Sequence, residues 1–345
     1  MLKTGLIQVY TGNCAGINFI PLGLGLRAAG RNLRVHISCF PPQEMMDGAR
    51  LIPDLLKPNL FIRHPNVRQR ITGGEWEKTD IEEINRTFEK SREALHGGQF
   101  DLVVLNGING IVSQGIIPSA ALLELIKEKP KHVELVFSGP NAPEAVLARA
   151  DLITEMVAHS KKEKAAGDFN DLGTAPAEVV TGNGKGKTTY CLGKAMLMSG
   201  IGIRGKILQF IKSPKAYGEV RAIGKLPGLG IESLGGGFLR TSGKAPDRKH
   251  LEAARRAWET CLREIFSLEF GLIVLDEINI ATHYALIRPG RIREMLFLKP
   301  HNLHIILSGR NAHQEVMEGA SSVIEMREIK HPLKKGIKAR KGIEF

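Results

Sequence analysis

The sequence predicts two α/β domains in tandem, each a doubly wound parallel sheet. The first observation is an alternation of short apolar runs with helix-like stretches, which is typical of strands buried on both faces of a parallel sheet. The second is a glycine-rich loop, residues 181–189 (TGNGKGKTT), that follows the first apolar run of the second half. The third is a register of matching residues at a constant offset of 170 positions, which carries Thr11 onto Thr181.

The predicted elements follow this alternation in order. Between the strands lie helix-like stretches such as residues 188–199, with Gly200 as a helix stop, and residues 250–267. Residues 158–176 are polar and contain glycine and proline, which predicts a linker between a first domain at 1–157 and a second at 177–345. The apolar runs that predict strands are 5–10, 35–40, 102–105 and 133–137 in the first half, and 178–180, 206–211, 272–275 and 304–307 in the second.

The 170-residue offset extends over almost the whole of each half. Residues 105–109 (LNGIN) lie over 275–279 (LDEIN), and 138–142 (SGPNA) over 308–312 (SGRNA). Such a long register indicates tandem duplication rather than a solenoid of short repeats. The first copy has lost the side chains that handle phosphate or metal, which predicts a folded pseudo-domain. The losses, written second copy to first, are Lys187 to Ile17, Thr188 to Asn18, Asp276 to Asn106, Glu277 to Gly107 and Arg310 to Pro140.

Composition narrows the class of protein. With 345 residues, 43% hydrophobic and 24% charged, the chain is typical of a soluble two-domain protein. It has no membrane-spanning apolar run, no signal-peptide layout at its start and no C-x-x-C pair among its four cysteines, so we expect a cytoplasmic protein without a structural zinc site. Of the net charge of +12, the first 170 residues carry +1 and the remainder +11, which suits a polyanionic ligand. Nucleic acid is the alternative ligand, but the basic residues are dispersed and aromatic residues make up only 6%.

The glycine loop, as we call residues 181–189, predicts a phosphate site. Its backbone N–H groups can converge on phosphate oxygens, Lys187 adds positive charge, and the Thr188 hydroxyl can reach a Mg²⁺ ion. The usual spacing places a glycine where Thr181 stands, so a glycine- and lysine-rich surface turn is the alternative reading. The loop residues predicted to bind phosphate are Gly182, Asn183, Gly184, Lys185, Gly186, Lys187, Thr188 and Thr189.

A second motif supports the phosphate site. Residues 271–277 (GLIVLDE) form an apolar strand that ends in two acids. In a nucleotide-binding sheet such a strand end lies near the phosphate loop, where Asp276 or Glu277 can hold Mg²⁺ or Mn²⁺ together with Thr188.

Together with residues 209–212 (QFIK), 218–219 (GE), 308–312 and the tail 325–345, these motifs closely resemble the ATP:corrinoid adenosyltransferases of the P-loop type. The resemblance covers 178–345 and, more faintly, 5–157, and it implies a P-loop-NTPase-like fold. It also implies transfer of the 5′-deoxyadenosyl group of ATP to the cobalt(I) of a reduced corrinoid, with release of triphosphate. Because cobalt(I) is the nucleophile, the chain needs no general base, and none is evident. The implied catalytic residues are Lys187, Thr188, Glu277 and Arg310, and the implied metal-binding residues are Thr188, Asp276 and Glu277. The implied ATP-binding residues are the glycine-loop residues 182–189 together with Arg310 and Asn311.

The resemblance also implies a corrinoid site, with one departure from the family pattern. A Gly-Phe-x-Trp run is common in the family, where its aromatic rings pack against the lower face of the corrinoid. The chain has Gly237-Phe238-Leu239-Arg240 instead. Arg240 thus replaces the tryptophan, and Phe238 is open to a second reading as a core residue. The implied corrinoid-binding residues are Gln209, Lys212, Glu219, Gly237 and Phe238.

The resemblance leaves the role of the first half and the partners open. Relatives of this type are homodimers, so we expect either a homodimer or a pseudo-dimer in which residues 1–157 take the place of a partner subunit. A flavoprotein reductant and an adenosylcobalamin-dependent acceptor enzyme are further candidate partners. The alternative functions are a P-loop ATPase or kinase for another small substrate, and a corrinoid carrier without catalytic activity.

Overall fold

The fold is a single mixed sheet with helices on both faces, seen in a computed structural model that describes residues 2–41, 46–67, 76–159, 175–211, 217–235 and 248–345. The described strands form a twelve-stranded sheet in the order β3-β2-β4-β5-β1-β6-β12-β7-β11-β10-β8-β9. The first half of the chain contributes β1–β6 and the second half β7–β12. The strand order of the second half mirrors that of the first across the β6–β12 pair.

Each strand and α-helix of the second half has a counterpart in the first. The first half contains β1 (Ile7–Gly12), α1 (Phe19–Ala29), β2 (Val35–Cys39), α2 (Met46–Leu55), β3 (Leu60–Arg63), α3 (Lys78–His96), β4 (Leu102–Asn106), α4 (Ile108–Ser113), α5 (Ser119–Glu128), β5 (Glu134–Ser138), α6 (Glu144–Arg149) and β6 (Leu152–Ala158). The second half contains β7 (Ala177–Thr181), α7 (Lys187–Gly200), β8 (Gly205–Gln209), α8 (Gly218–Ile223), β9 (Leu229–Ser233), α9 (Arg248–Ile265), β10 (Leu272–Asp276), α10 (Ile278–His283), α11 (Pro289–Leu298), β11 (His304–Ser308), α12 (Gln314–Glu318), β12 (Ser322–Lys330) and a short 3₁₀ turn at Pro332–Lys335.

The structure confirms the α/β fold and the eight predicted strands, with ends shifted by one or two residues. It also confirms that the helix after the glycine loop ends at Gly200. It adds β3, β6, β9 and β12, which the apolar runs did not predict. The domain limits at 157 and 177 stay a prediction, and residues 160–174 of the predicted linker lie outside the described part of the chain. None of the described helices is both long and apolar enough to span a membrane.

The two halves meet at an antiparallel strand pair. Within each half β6 runs parallel to β1 and β12 parallel to β7, whereas β6 and β12 run antiparallel, with Met156 opposite Met326. The two half-sheets therefore point in opposite directions. The register also brings the carboxyl ends of β1 and β7, where a doubly wound fold binds ligands, to the same level of the seam: Gly12 pairs with Met156, and Thr181 pairs with Glu325, the neighbour of Met326.

Helices α1 and α7 cross between the halves at a pair of glycines. A Cβ atom on Gly23 would lie 1.8 Å from the Thr189 carbonyl oxygen, and one on Gly193 would lie 1.9 Å from the Phe19 carbonyl oxygen. The 170-residue offset relates these two glycines to each other. The rings of Phe19 and Tyr190 pack edge to face at 5.5 Å beside the crossing. Only residues without a side chain let the two backbones approach so closely.

Two further glycine contacts repeat this symmetry on either side of the crossing. A Cβ atom on Gly30 would lie 1.8 Å from the Gly218 carbonyl oxygen, and one on Gly200 would lie 2.0 Å from the Gly48 carbonyl oxygen. The offset relates Gly30 to Gly200 and Gly48 to Gly218. These pairs of shared glycines therefore lie where the halves touch each other.

Candidate nucleotide site

The glycine loop connects β7 to α7 and takes a conformation that requires its glycines. Gly182 and Gly186 have φ values of +94° and +118°, in the left-handed region that favours glycine. The Gly184 N–H group donates to the Met326 carbonyl oxygen at 2.7 Å, and a Cβ atom on Gly184 would lie 2.8 Å from that oxygen. The loop therefore lies directly against β12, at the carboxyl end of the second half's strands.

Lys187 closes the loop on itself. Its Nζ atom donates to the carbonyl oxygens of Gly182 and Gly184, at 2.7 Å each, and the side chain is largely buried. Burial lowers the pKa of Lys187 to about 8; the nearby Glu277 raises this pKa and Arg310 lowers it. The ammonium thus lies inside the loop, in the place from which it can face bound phosphate.

Asp276 is the centre of a hydrogen-bonded cluster below the loop. It is fully buried and accepts from the Thr188 hydroxyl at 3.0 Å, the Ser308 hydroxyl at 2.6 Å and the Gln209 amide at 2.9 Å. These bonds fix the carboxylate at the end of β10 and join it to the first turn of α7. Lys187 and Thr188, at the start of that helix, are brought together with Asp276 as the sequence predicts.

Glu277 has a backbone conformation that is rare for a residue with a side chain. Its φ is +65°, and its N–H group donates to the Ser308 hydroxyl at 3.3 Å. The corresponding first-half residue is Gly107, with a φ of +91°. The second half therefore places a glutamate where a glycine would be unstrained, and such local strain commonly marks a functional position.

The cluster contains the type of ligand that Mg²⁺ prefers. Thr188, Asp276 and Glu277 offer a hydroxyl and two carboxylates, and Mg²⁺ is bound by one or two carboxylates together with phosphate oxygens and water. The described residues contain no group of three or more His, Cys, Asp or Glu side chains that would form a cage made of protein ligands alone. This arrangement fits a metal that arrives with a nucleotide.

Arg310 and Asn311 follow β11 at the same edge of the sheet. Both are exposed, and Asn311 has a left-handed φ of +57°. An open cavity of about 630 Å³ lies beside the glycine loop and is lined by Gly182, Asn183 and Asn311 on one side. His159, at the end of the first half, and its hydrogen-bond partner Glu325, at 2.8 Å, line the cavity as well.

The first half keeps the hydrogen-bond pattern of the site but not its charges. The Ser138 hydroxyl donates to the side-chain oxygen of Asn106 at 2.6 Å and lies 3.0 Å from that of Asn18, and the Gly107 N–H donates to Ser138 at 3.0 Å. Ile17, in the place of Lys187, is buried. Amides thus replace the carboxylate and the hydroxyl within the same scaffold.

Of the residues predicted to bind a corrinoid, the structure describes Gln209 and Glu219. Gln209 is fully buried, binds Asp276 and accepts from Ser233, so it supports the acid of the site. Glu219 is fully buried and pairs with Arg27 of α1 at 3.0 Å, so the geometry gives it a role in joining the halves. Their predicted contact with a corrinoid stays a prediction. Lys212, Gly237, Phe238 and Arg240 lie outside the described residues.

Lys185 and Ser308 make contacts that the sequence did not indicate, and the role of Lys185 in ATP binding stays a prediction. Lys185 was predicted to bind ATP, and its Nζ atom lies 3.0 Å from the Glu344 carboxylate in the C-terminal tail. Ser308 was not predicted to act at the site, yet it contacts both Asp276 and the Glu277 backbone. The repeat of this serine as Ser138 is the signal that could have identified it.

Comparison with known proteins agrees with this geometry. The family model for "ATP:corrinoid adenosyltransferase BtuR/CobO/CobP" matches the chain twice, at residues 3–168 and 175–345. A corrinoid adenosyltransferase of Sinorhizobium sp. is 39% identical over 48% of this chain and 78% of its own length. One of Pseudomonas aeruginosa is 33% identical over 48% of this chain and 82% of its own. An uncharacterised protein of Nostoc sp. (strain PCC 7120) is 28% identical over 99% of this chain and 95% of its own.

The two family matches divide the chain as the 170-residue offset predicts, and together they span nearly all of it. The relatives named as corrinoid adenosyltransferases match about one half of the chain each. The chain belongs to the ATP:corrinoid adenosyltransferase family, with two copies of the family's fold in tandem.

Proposed function

We propose that the second half transfers the 5′-deoxyadenosyl group of ATP to the cobalt(I) of a corrinoid and releases triphosphate. The observation that carries this proposal is the contrast between the two copies of the site. In the second half Thr188, Asp276 and Lys187 form a connected, charged cluster around the glycine loop. In the first half the same positions hold amides and an apolar side chain.

The chain's own residues have two tasks in this reaction. A cobalt–carbon bond forms with the electron pair of cobalt(I), while the bond from C5′ to the triphosphate oxygen breaks and its electron pair leaves with the triphosphate. Lys187, Arg310 and the loop N–H groups stabilise the departing negative charge. The loop also fixes the triphosphate, so that C5′ is held in reach of the cobalt.

Thr188, Asp276 and Glu277 would hold Mg²⁺, which supplies charge neutralisation for the triphosphate. Ser308 and Gln209 keep the Asp276 carboxylate oriented toward the Thr188 hydroxyl. This support explains why buried polar side chains, rather than apolar ones, surround the end of β10.

The first half takes the place of a partner subunit in this proposal. Its strand β6 completes the sheet beside β12, and α1 packs on α7, the helix that begins at Lys187. The chain would then have one nucleotide site within a pseudo-dimer.

The test mixes the purified protein with MgATP and chemically reduced cob(I)alamin without oxygen and follows the visible spectrum together with triphosphate. We expect a light-sensitive cobalt–carbon species and one triphosphate per turnover. Lys187→Ala abolishes both, whereas Lys225→Ala, at an exposed lysine after α8, leaves them unchanged. Release of ADP instead would identify an ATPase or kinase, and corrinoid binding without alkylation would identify a carrier.

A further inference from the structure

The C-terminal tail of the second half, residues 331–345, lies on the first half. Just before the tail, Lys330 at the end of β12 donates to the carbonyl oxygens of Leu147 and Ala148, at 2.8 and 2.9 Å. Further along, Ile343 is buried, and Arg27 of α1 donates to its carbonyl oxygen at 3.3 Å. The antiparallel seam accounts for this contact, because β12 continues beyond the end of β7 and pairs with β6 as far as Ile153, so the tail leaves the sheet near the amino end of β6.

The strongest tail contact is a buried ion pair with the first half. Both Arg340 Nη atoms donate to the two carboxylate oxygens of Glu134, at 2.6 and 2.8 Å, and Glu134 is fully buried. Burial opposes the charge of Arg340, but the hydrogen bonds and charge of Glu134 outweigh it and raise the pKa of the guanidinium. The first half thus fixes Arg340 with a bidentate pair, the most specific geometry available to arginine.

In the second half, the buried carboxylate near the equivalent position is paired with a different cation. The offset carries Glu134 onto His304, which contacts Glu178 at 3.0 Å, and Glu178 pairs with Lys194 of its own half. The first half therefore receives its cation from the tail, whereas the second half supplies one internally. This asymmetry gives the tail one specific docking place.

Arg340 and the glycine loop share one carboxylate. Glu344 Oε1 accepts from Arg340 Nη2 at 3.1 Å and from Lys185 Nζ at 3.0 Å, while Oε2 accepts from the Arg340 N–H at 2.6 Å. A continuous path of ion pairs thus runs from Glu134, in the first half, to Lys185 in the loop.

We propose that the first half sets the ATP affinity of the second half through this path of ion pairs. In the absence of nucleotide, Glu344 holds Lys185. When Lys185 moves to the triphosphate, Arg340, which Glu134 fixes in place, keeps the charge of Glu344 neutralised. The inference rests on the proposed nucleotide site. It makes Glu134, Arg340 and Glu344 positioning residues and gives the first half a task in the reaction.

The charges determine the direction of each effect. ATP binding must break the ion pair between Lys185 and Glu344, so loss of the Glu344 charge favours ATP binding. Arg340 remains bound to Glu344 after Lys185 has left, and without Arg340 an uncompensated carboxylate would face the triphosphate. Loss of Arg340 therefore disfavours ATP, but only while Glu344 is charged.

The experiment measures the MgATP dissociation constant by titration calorimetry for the full chain. We expect Glu344→Gln to tighten binding about two- to five-fold, the range for a partly exposed ion pair. Arg340→Ala weakens it about five-fold or more, and the double variant returns to within about two-fold of Glu344→Gln. Lys335→Ala, which removes another tail cation facing a first-half acid (Asp151, 3.7 Å), leaves affinity unchanged.

Glu134→Gln tests whether the effect begins in the first half. We expect weaker MgATP binding, restored when Glu344→Gln is added. A loss that Glu344→Gln does not restore would mean that Glu134 only supports the fold, and would overturn the proposal. If Arg340→Ala fails to fold, Glu344→Gln decides alone, since unchanged or weaker binding overturns the proposal. Wild-type protein that binds no MgATP would refute the proposed nucleotide site itself.

Discussion

The crossing of α1 and α7 makes Gly193 a sensitive position for both stability and nucleotide binding. Gly193→Ala places a Cβ atom 1.9 Å from the Phe19 carbonyl oxygen, whereas ordinary contact begins at 3.4 Å. The helices must therefore separate by about 1.5 Å. Neither atom belongs to a flexible side chain, so the clash cannot be relieved by a change of rotamer.

The expected cost follows from this geometry. Overpacking a core costs about 1–3 kcal/mol, and contact with backbone places Gly193→Ala near the upper value. The better helix propensity of alanine returns about 0.5–1 kcal/mol. If the chain unfolds as one unit of 345 residues, a net loss of about 2 kcal/mol lowers the melting temperature by about 3 °C, and if one half unfolds alone, by about 6 °C.

The assay is thermal unfolding followed by calorimetry, together with MgATP binding. The control is Gly290→Ala, also within a helix, where the new Cβ atom has its nearest neighbour at 3.9 Å. It should leave the melting temperature unchanged or raise it. Because α7 begins at Lys187, Gly193→Ala should also weaken MgATP binding. Equal melting temperatures for the two variants would refute the idea that the halves meet at this crossing.

Three further predictions concern charged residues. Asp276→Asn, which introduces the residue that the first half has at this place, should fold normally but lose at least about ten-fold in Mg²⁺-dependent ATP affinity; ATP titrations with and without Mg²⁺ test this. The pKa of Lys187, lowered by burial to about 8 from its usual 10.5, should make MgATP affinity fall above pH 8. Between pH 8 and 10.5 the unfolded chain binds more protons than the folded chain, so the free energy of unfolding without nucleotide should rise with pH. Equal MgATP affinities at pH 7 and 9.5 would contradict the predicted fall in affinity. Lys194→Met should cost about 3–5 kcal/mol in urea unfolding by removing the ammonium that neutralises the buried Glu178 carboxylate, and Lys194→Met/Glu178→Gln should recover part of the loss.

The strands that the sequence predicts are those whose environment is apolar on both faces. β4 and β10 are fully buried runs of this kind, and their limits were predicted to within one residue. β12 alternates buried residues with charged ones that are half-buried or exposed, such as Glu325 and Arg327, so it has no apolar run. Its strand structure depends on pairing with β6 and β7, which is a tertiary property that no local pattern records.

The features of the site likewise divide into those that the sequence predicts and those that depend on tertiary contacts. The loop conformation depends on glycines, which the sequence shows, and the spacing of Lys187 and Thr188 after these glycines predicts their roles, which stay predictions. The pairing of Glu219 with Arg27, far away along the chain, could not be predicted because it depends on how the two halves pack. The contact of Lys185 with Glu344 likewise depends on where the tail docks.

The antiparallel seam between β6 and β12 has a consequence for how the site responds to dilution. Two separate subunits that share a site lose it as their concentration falls below the dissociation constant of the dimer. In this chain the two surfaces are covalently joined, so their association is intramolecular and occurs at a fixed effective concentration. The geometry of the glycine loop should therefore be independent of protein concentration. Joining the halves also removes the requirement that each interface residue serve both sides, which is what allows Glu134 and His304 to differ.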